Sequence, residues 1–349
     1  AIIDYISSFR KSHPVWQEPC LYFSADTPAE GYDLSQEDFI GPYRSESNPI
    51  ALENGRCANS NIYSDNAVGG LCIPVTLAPG EEKTIHFILG AVDDKEAIPG
   101  IVKSAFAQGV IDRYFADLNR HWDEYLSSFQ ISTPDEDINR VLNIWNKYQC
   151  KTTFDWSRYI SLYERGFDRG YGFRDSMQDP LGVMYRIPGE AKERIKLLLA
   201  IQKNRGDTLS VYYPFHKTAE GGGRSDDHLW SVFSVCCYIK ESGDADFLDE
   251  MVPYHDGGEG TVLEHIEKAV RFTFDHTGPH GIPLMLKNDW NDSLSPIADM
   301  GGPVESVFVF FQLGHAVKEL IGLYAYMNLD EKRKWAEGMH ADLRTRLDA

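Results

Sequence analysis

The spacing of apolar residues changes along the chain. Up to about residue 92 they come in short runs between turn-forming clusters. Leu71 to Leu77 and Thr84 to Leu89 are two such runs, with Ala78-Pro79-Gly80-Glu81 between them. Pro and Gly interrupt regular structure, so this segment predicts a hairpin. Thr84, His86 and Ile88 alternate with Ile85, Phe87 and Leu89, the period of two that a half-buried strand needs. Asp26-Thr27-Pro28, Ser47-Asn48-Pro49 and Glu53-Asn54-Gly55 mark further turns. Residues 1–92 therefore predict part of an antiparallel β-sandwich.

After Asp93-Asp94 the period becomes helical. Ile98, Ile101, Val102 and Phe106, then Val110, Ile111, Tyr114, Phe115, Leu118, Trp122, Tyr125 and Leu126 recur at three- and four-residue steps. Residues 93–130 predict a helical linker. Ser132-Thr133-Pro134-Asp135 then reads as a helix start. Beyond it, helices are expected over 135–152, 177–186, 189–203, 227–242, 244–251, 259–276, 303–326 and 330–347. Between them lie Gly- and Asp-rich loops, with no strand of comparable strength. The region from 131 to 349 predicts an all-α domain whose loops carry the chemistry.

Composition narrows the function classes. The 349 residues hold 34 Lys plus Arg and 53 Asp plus Glu, a net charge of −19. At roughly 150 residues per domain, about two domains are expected. Such an acidic surface repels phosphate backbones and anionic lipid, so neither nucleic acid nor membrane is an expected partner. No uninterrupted apolar run approaches the ~18 residues of a membrane span. Cys20, Cys57, Cys72, Cys150, Cys236 and Cys237 lack CxxC spacing, which favours reduced thiols and a cytoplasmic location. The chain starts at Ala1 and ends at HADLRTRLDA inside a predicted helix, so a piece of a longer polypeptide is expected.

Three loops concentrate reactive side chains. ERGFDRGYGFRDSMQDP, residues 164–180, carries Arg165, Arg169 and Arg174 with Glu164, Asp168, Asp175 and Asp179. Planar guanidinium donors beside paired acceptors suit a polyhydroxylated ligand or an anion, and equally a neutralised salt-bridge loop. EGGGRSDDHLW, residues 220–230, places Arg224, Asp226 and Asp227 before a helix. It lacks the Lys-Ser/Thr of a P-loop, and either aspartate would serve as an N-cap. NDWNDSL, residues 288–294, sets Asp289 and Asp292 around Trp290 and Asn291. A carboxylic acid beside an indole suits a sugar site, where the ring stacks on a pyranose and the acid protonates a leaving oxygen. The same residues read as an Asx-turn cluster, and a calcium loop would need the missing Gly and terminal Glu. The scattered histidines lack HExxH or CxxC company, so no metal is expected.

RGFDRGYGFRDSMQD, GGGRSDDHLW and GPHGIPLMLKNDWNDSL, in this order, resemble glycoside hydrolase family 94, whose members include cellobiose, cellodextrin, chitobiose and laminaribiose phosphorylases. FIGPYRSESNPIALENG, residues 39–55, resembles the end of that family's N-terminal sandwich. The similarity covers about Phe39 to Val309. It implies a mainly α protein with a β domain: a β-sandwich, a helical linker and about the first half of an (α/α)6 barrel.

The resemblance also implies inverting phosphorolysis of a β-linked di- or oligosaccharide. Inorganic phosphate is the co-substrate and no cofactor is needed. It assigns Asp292 as the general acid, Arg169, Asp175 and Trp290 to donor-sugar binding, and Arg158 to phosphate. Arg174, Asp179, Arg224 and Asp226 fall in matching motifs without a defined role. It implies a homodimer, and it places the rest of the phosphate site in a later segment. Two other readings stand beside it. One is an inverting hydrolase with Asp175 as base and Asp292 as acid. The other is a non-catalytic carbohydrate-binding or regulatory fragment.

Overall fold

The computed structural model describes residues 2–3, 20–62, 66–157, 170–214, 217–298 and 302–348. The chain forms two compact units, residues 1–123 and 124–349.

In the first unit, β1 (Ile2–Ile3), β2 (Cys20–Ala25) and β5 (Phe87–Val92) form one antiparallel sheet in the order β1-β2-β5. A second antiparallel pair joins β3 (Gly31–Ser35) to β4 (Ala67–Cys72). The expected hairpin across 78–81 is not formed by these strands: β4 and β5 lie in different sheets. The turn itself exists, with the Glu81 amide donating to the Ala78 carbonyl at 3.0 Å. Tight turning at Pro79-Gly80 does not decide which strands pair, because pairing is settled by non-local partners. Fully buried Asp33 accepts from the amides of Ala58 and Ser60 and from the Ser60 hydroxyl, at 2.8 to 3.1 Å. Those donors replace the water that a buried carboxylate has lost and tie the 58–60 segment to β3. Short helices α1 (Gln36–Ile40) and α2 (Ile50–Glu53) follow β3, and α3 (Ile98–Ala105) and α4 (Val110–Ser127) occupy the expected helical stretch.

The second unit is helical. α5 (Glu136–Arg140), a π-turn over Val141–Trp145 and α6 (Asn146–Trp156) run continuously. The Asp135 carboxylate accepts from the amides of Asp137 and Ile138, so the predicted helix start is a side-chain cap. There follow α7 (Phe173–Gln178), α8 (Pro188–Leu199), α9 (Trp230–Ser242), α10 (Val262–Asp275), α11 (Ser295–Ala298), α12 (Val307–Tyr326) and α13 (Asp330–Asp348). The expected helix over 177–186 is instead α7 plus a 3-10 turn at Asp179–Gly182. Pro180 lacks the amide that would continue an α-helix there.

Short strands interrupt the helices, contrary to the sequence pattern. β6 (Tyr171–Gly172), β7 (Val211–Tyr213) and β8 (Thr218–Glu220) form an antiparallel ribbon, and β9 (Met251–Pro253) pairs with β10 (Glu259–Thr261). Strands this short carry too few residues to show a period of two.

The core runs through α8, α9, α10 and α12, with Ile195, Leu199, Val232, Val235, Ile266, Val270, Leu313, Val317, Leu320 and Tyr324 all buried. α10 shows the logic. Val262, Ile266, Ala269, Val270 and Thr273 form its buried stripe, and Thr261 with Glu264 closes a capping box. α12 is 20 residues long and apolar enough by composition to cross a membrane, but half of its window is buried in this core.

Candidate active site

Arg174, in the first turn of α7, is where the three motifs meet. Its backbone is set by the strand before it. Gly172 in β6 pairs with Val211, and the Phe173 amide donates to the Ser210 carbonyl at 2.8 Å. A Cβ at Gly170 would lie 2.4 Å from the Tyr212 carbonyl, so only glycine fits that approach.

The second motif owes its path to its glycines. Gly221, Gly222 and Gly223 have φ of +79°, +121° and +82°, values other residues adopt only at a cost. The turn brings Gly223 and Ser225 alongside the third motif. The Lys287 amide donates to Gly223 at 2.8 Å and the Ser225 amide to Asn288 at 2.9 Å. Leu286, just before Lys287 and bridged to Arg224, also sits at φ +55°, a conformation costing on the order of 1 kcal/mol in a non-glycine residue.

The third motif, the Asp- and Asn-rich acid loop, uses most of its polar side-chain atoms internally, although the buried Asn288 side-chain oxygen has no hydrogen-bond partner among the described residues. Asp289 accepts from the Asn291 amide at 2.9 Å and the Ser306 hydroxyl at 2.7 Å. The Asn291 side chain accepts from the Ser293 amide, and the Asn288 amide group donates to the Ser295 hydroxyl at 2.9 Å. The Asx-turn reading therefore holds for Asp289 and Asn291. Asp292 is different: its side chain is 58% exposed, beside the half-exposed ring of Trp290.

Arg174 is itself buried. Its Nη2 donates to Asp292 Oδ1 at 2.9 Å, and its Nη1 donates to the Asp289 carbonyl at 3.2 Å. Nη1 also lies 3.5 Å from Asp226 Oδ1, and the guanidinium carbon is 5.8 Å from the centre of the Trp290 ring. Burial works against its charge, but Asp226, Asp227 and Asp292 more than offset that and raise its pKa. Arg224 reaches Asp292 Oδ1 at 3.5 Å.

Asp226 does not cap the helix with its side chain, as the sequence allowed. It is fully buried and accepts from the Trp230 indole N–H at 3.1 Å. Burial raises its pKa, against the pull of Trp230 and Arg174. Burial and then repulsion from Asp226 push the neighbouring Asp227 up to about 7, with Arg224 and the Ser210 hydroxyl acting the other way. An open trough of about 630 Å³ lies along α9 and α12, lined by Trp230, Phe233, Phe308, Phe311 and Gln312 among others; Trp230 and Gln312 also hydrogen-bond to Asp226.

The structure thus brings together Arg174, Arg224, Asp226, Trp290 and Asp292. Asp175 is half-buried in the first turn of α7, one step round the helix from Arg174. Asp179 is buried where the 3-10 turn begins, and its charge, after burial, raises the thiol pKa of Cys150 on α6. Arg158 and Arg169, with Glu164, Arg165 and Asp168, lie outside the described residues. Sequence reasoning missed Asn288 and Ser306. Asn288 sat unremarked inside its motif, and Ser306, which also caps α12, carries no sequence sign of its bond to Asp289. Among the described residues no group of three or more His, Cys, Asp or Glu is arranged to hold a metal.

Residues 121–349 match the catalytic domain of the glycosyl hydrolase 94 superfamily, and residues 5–106 match the supersandwich domain of the same family. The chain belongs to the glycosyl hydrolase 94 superfamily. Its N-terminal unit is the supersandwich part and its helical unit the catalytic part. An N,N'-diacetylchitobiose phosphorylase from Vibrio proteolyticus is 34% identical over 94% of this chain and 43% of its own length. One from Vibrio furnissii is 32% identical over 93% and 44%. A solabiose phosphorylase from Paenibacillus borealis is 34% identical over 89% and 38%. The chain spans less than half the length of the curated relatives it matches.

Proposed function

We propose that the protein catalyses inverting phosphorolysis of a β-linked di- or oligosaccharide. Asp292 donates a proton to the glycosidic oxygen as the bond from that oxygen to the anomeric carbon breaks. Inorganic phosphate attacks the same carbon from the opposite face, and an α-configured sugar 1-phosphate leaves with the shortened sugar. Phosphate is already nucleophilic, so no protein base has to activate it. Trp290 stacks on the donor sugar, Arg169 and Asp175 bind its hydroxyls, and Arg158 binds phosphate.

The observation that carries this reading is the state of the acid loop. Asp289 and Asn291 are spent on holding it, while Asp292, paired with Arg174 through Oδ1, keeps its side chain more than half exposed beside an exposed indole. Relatives named as phosphorylases support the same reaction type. The proposal includes a homodimer and a cytoplasmic location, the latter supported by cysteine spacing that favours reduced thiols. It also keeps the division into a sandwich to residue 92, a linker over 93–130 and a barrel portion from 131. Cellobiose is one candidate substrate beside chitobiose, laminaribiose and a cellodextrin.

The test is an assay of the longest natural form of the protein on these sugars, with and without phosphate. Sugar 1-phosphate formed only with phosphate is expected. Free sugar released without phosphate would replace the proposal with the hydrolase, and binding without turnover would replace it with the carbohydrate-binding fragment.

A further inference from the structure

We propose that Arg174 is a positioning residue that fixes which oxygen of Asp292 carries the transferable proton; the inference rests on the phosphorolysis reading above. Three N–H-bearing groups approach the Asp292 carboxylate among the described residues, two as hydrogen-bond donors and Arg224 as an ion pair, and all lie at Oδ1. They are Arg174 Nη2 at 2.9 Å, Asn288 Nδ2 at 3.4 Å and Arg224 Nη2 at 3.5 Å. Guanidinium and amide nitrogens of this kind only donate, so the oxygen they surround stays an acceptor. A proton added to the carboxyl therefore goes to Oδ2, away from all three.

Arg174 is held at its other end. Its Nη1 faces buried Asp226, and the same nitrogen donates to the Asp289 carbonyl within the acid loop. Asp226 is in turn fixed by the Trp230 indole and by its own backbone carbonyl, which accepts from Gln312 at 3.4 Å. The guanidinium is thus a strut between the foot of α9 and the acid loop. A general acid works only when its proton points at the leaving oxygen, so this strut acts on proton donation and not on sugar binding.

The test compares two substrates in the longest natural form of the protein. One is the disaccharide the wild type phosphorolyses best. The other is the β-glycosyl fluoride of the same donor sugar, whose fluoride leaves without the full protonation a sugar alkoxide needs. Arg174→Gln is expected to lower kcat on the disaccharide by about 10²-fold with KM little changed. On the fluoride the loss should stay under about tenfold, because the acid contributes less to its departure. Arg174→Lys, which keeps a cation but loses the fork, should show the same split at smaller size, and it decides the matter if Arg174→Gln does not fold. Equal losses on both substrates, or a loss confined to KM, would overturn the positioning role and leave Arg174 a structural ion pair. A wild type that forms no sugar 1-phosphate from either substrate would overturn the phosphorolysis reading and this inference with it.

Discussion

Two loops in the helical unit carry near-identical chemistry and opposite surroundings. SDDHLW places Asp226 and Asp227 where almost no water reaches them, while NDWNDSL leaves Asp292 more than half exposed. Each loop pairs an aspartate with a tryptophan, and Arg174 touches an aspartate of both. Burial decides the difference. Asp226 is spent on Arg174 and Trp230, and Asp227 gives up its charge around neutrality because desolvation and its neighbour oppose ionisation. Asp292 stays open to a ligand. The sequence DD or ND does not distinguish a buried carboxylate from an accessible one; solvent access does.

The comparison breaks most visibly at Asp292. Asp292→Asn should cut turnover by about 10²–10⁴-fold while leaving the thermal melting point nearly unchanged, read by a phosphate-coupled assay and a melt on the same sample. Asp226→Ala should do the reverse in character. It strips a buried guanidinium of its inner partner and should cost about 3 kcal/mol in a denaturant titration. Asp227 sharpens the contrast through pH. Its carboxyl ionises near its ordinary value when unfolded but near 7 when folded, so the folded state holds an extra proton in between. Stability should therefore fall as pH rises from about 4 to about 7 and level off above. Asp227→Asn should flatten that slope in melts across the same range. The smallest effect is expected at Ser306→Ala, which removes the α12 cap and the Asp289 tether together, a loss of about 1 kcal/mol by denaturant midpoint.

Much of this was legible in the chain, for identifiable reasons. Long helices declare themselves by period, as α10 and α12 do, and Asp135 announces a cap because only a few side chains serve there. The three motifs met in space because each is anchored to a helix end. Strand pairing was not legible: Pro79-Gly80 forms its turn, yet β4 and β5 find other partners. The ribbons β6–β8 and β9–β10 are too short to show alternation. At the site, the tether from Ser306 to Asp289 spans 17 residues and depends on how α12 packs. The shared use of Arg174 by Asp226 and Asp292 could not be read from spacing, since those residues lie 52 and 118 positions beyond it.

The most direct test follows the phosphorus and the anomeric carbon by NMR as the wild-type protein, in its longest natural form, turns over a β-disaccharide in phosphate buffer. An α-configured sugar 1-phosphate, with no free donor sugar in a phosphate-free control, is the result predicted by direct attack of phosphate opposite Asp292. A β-configured 1-phosphate, or donor sugar released without phosphate, would contradict it.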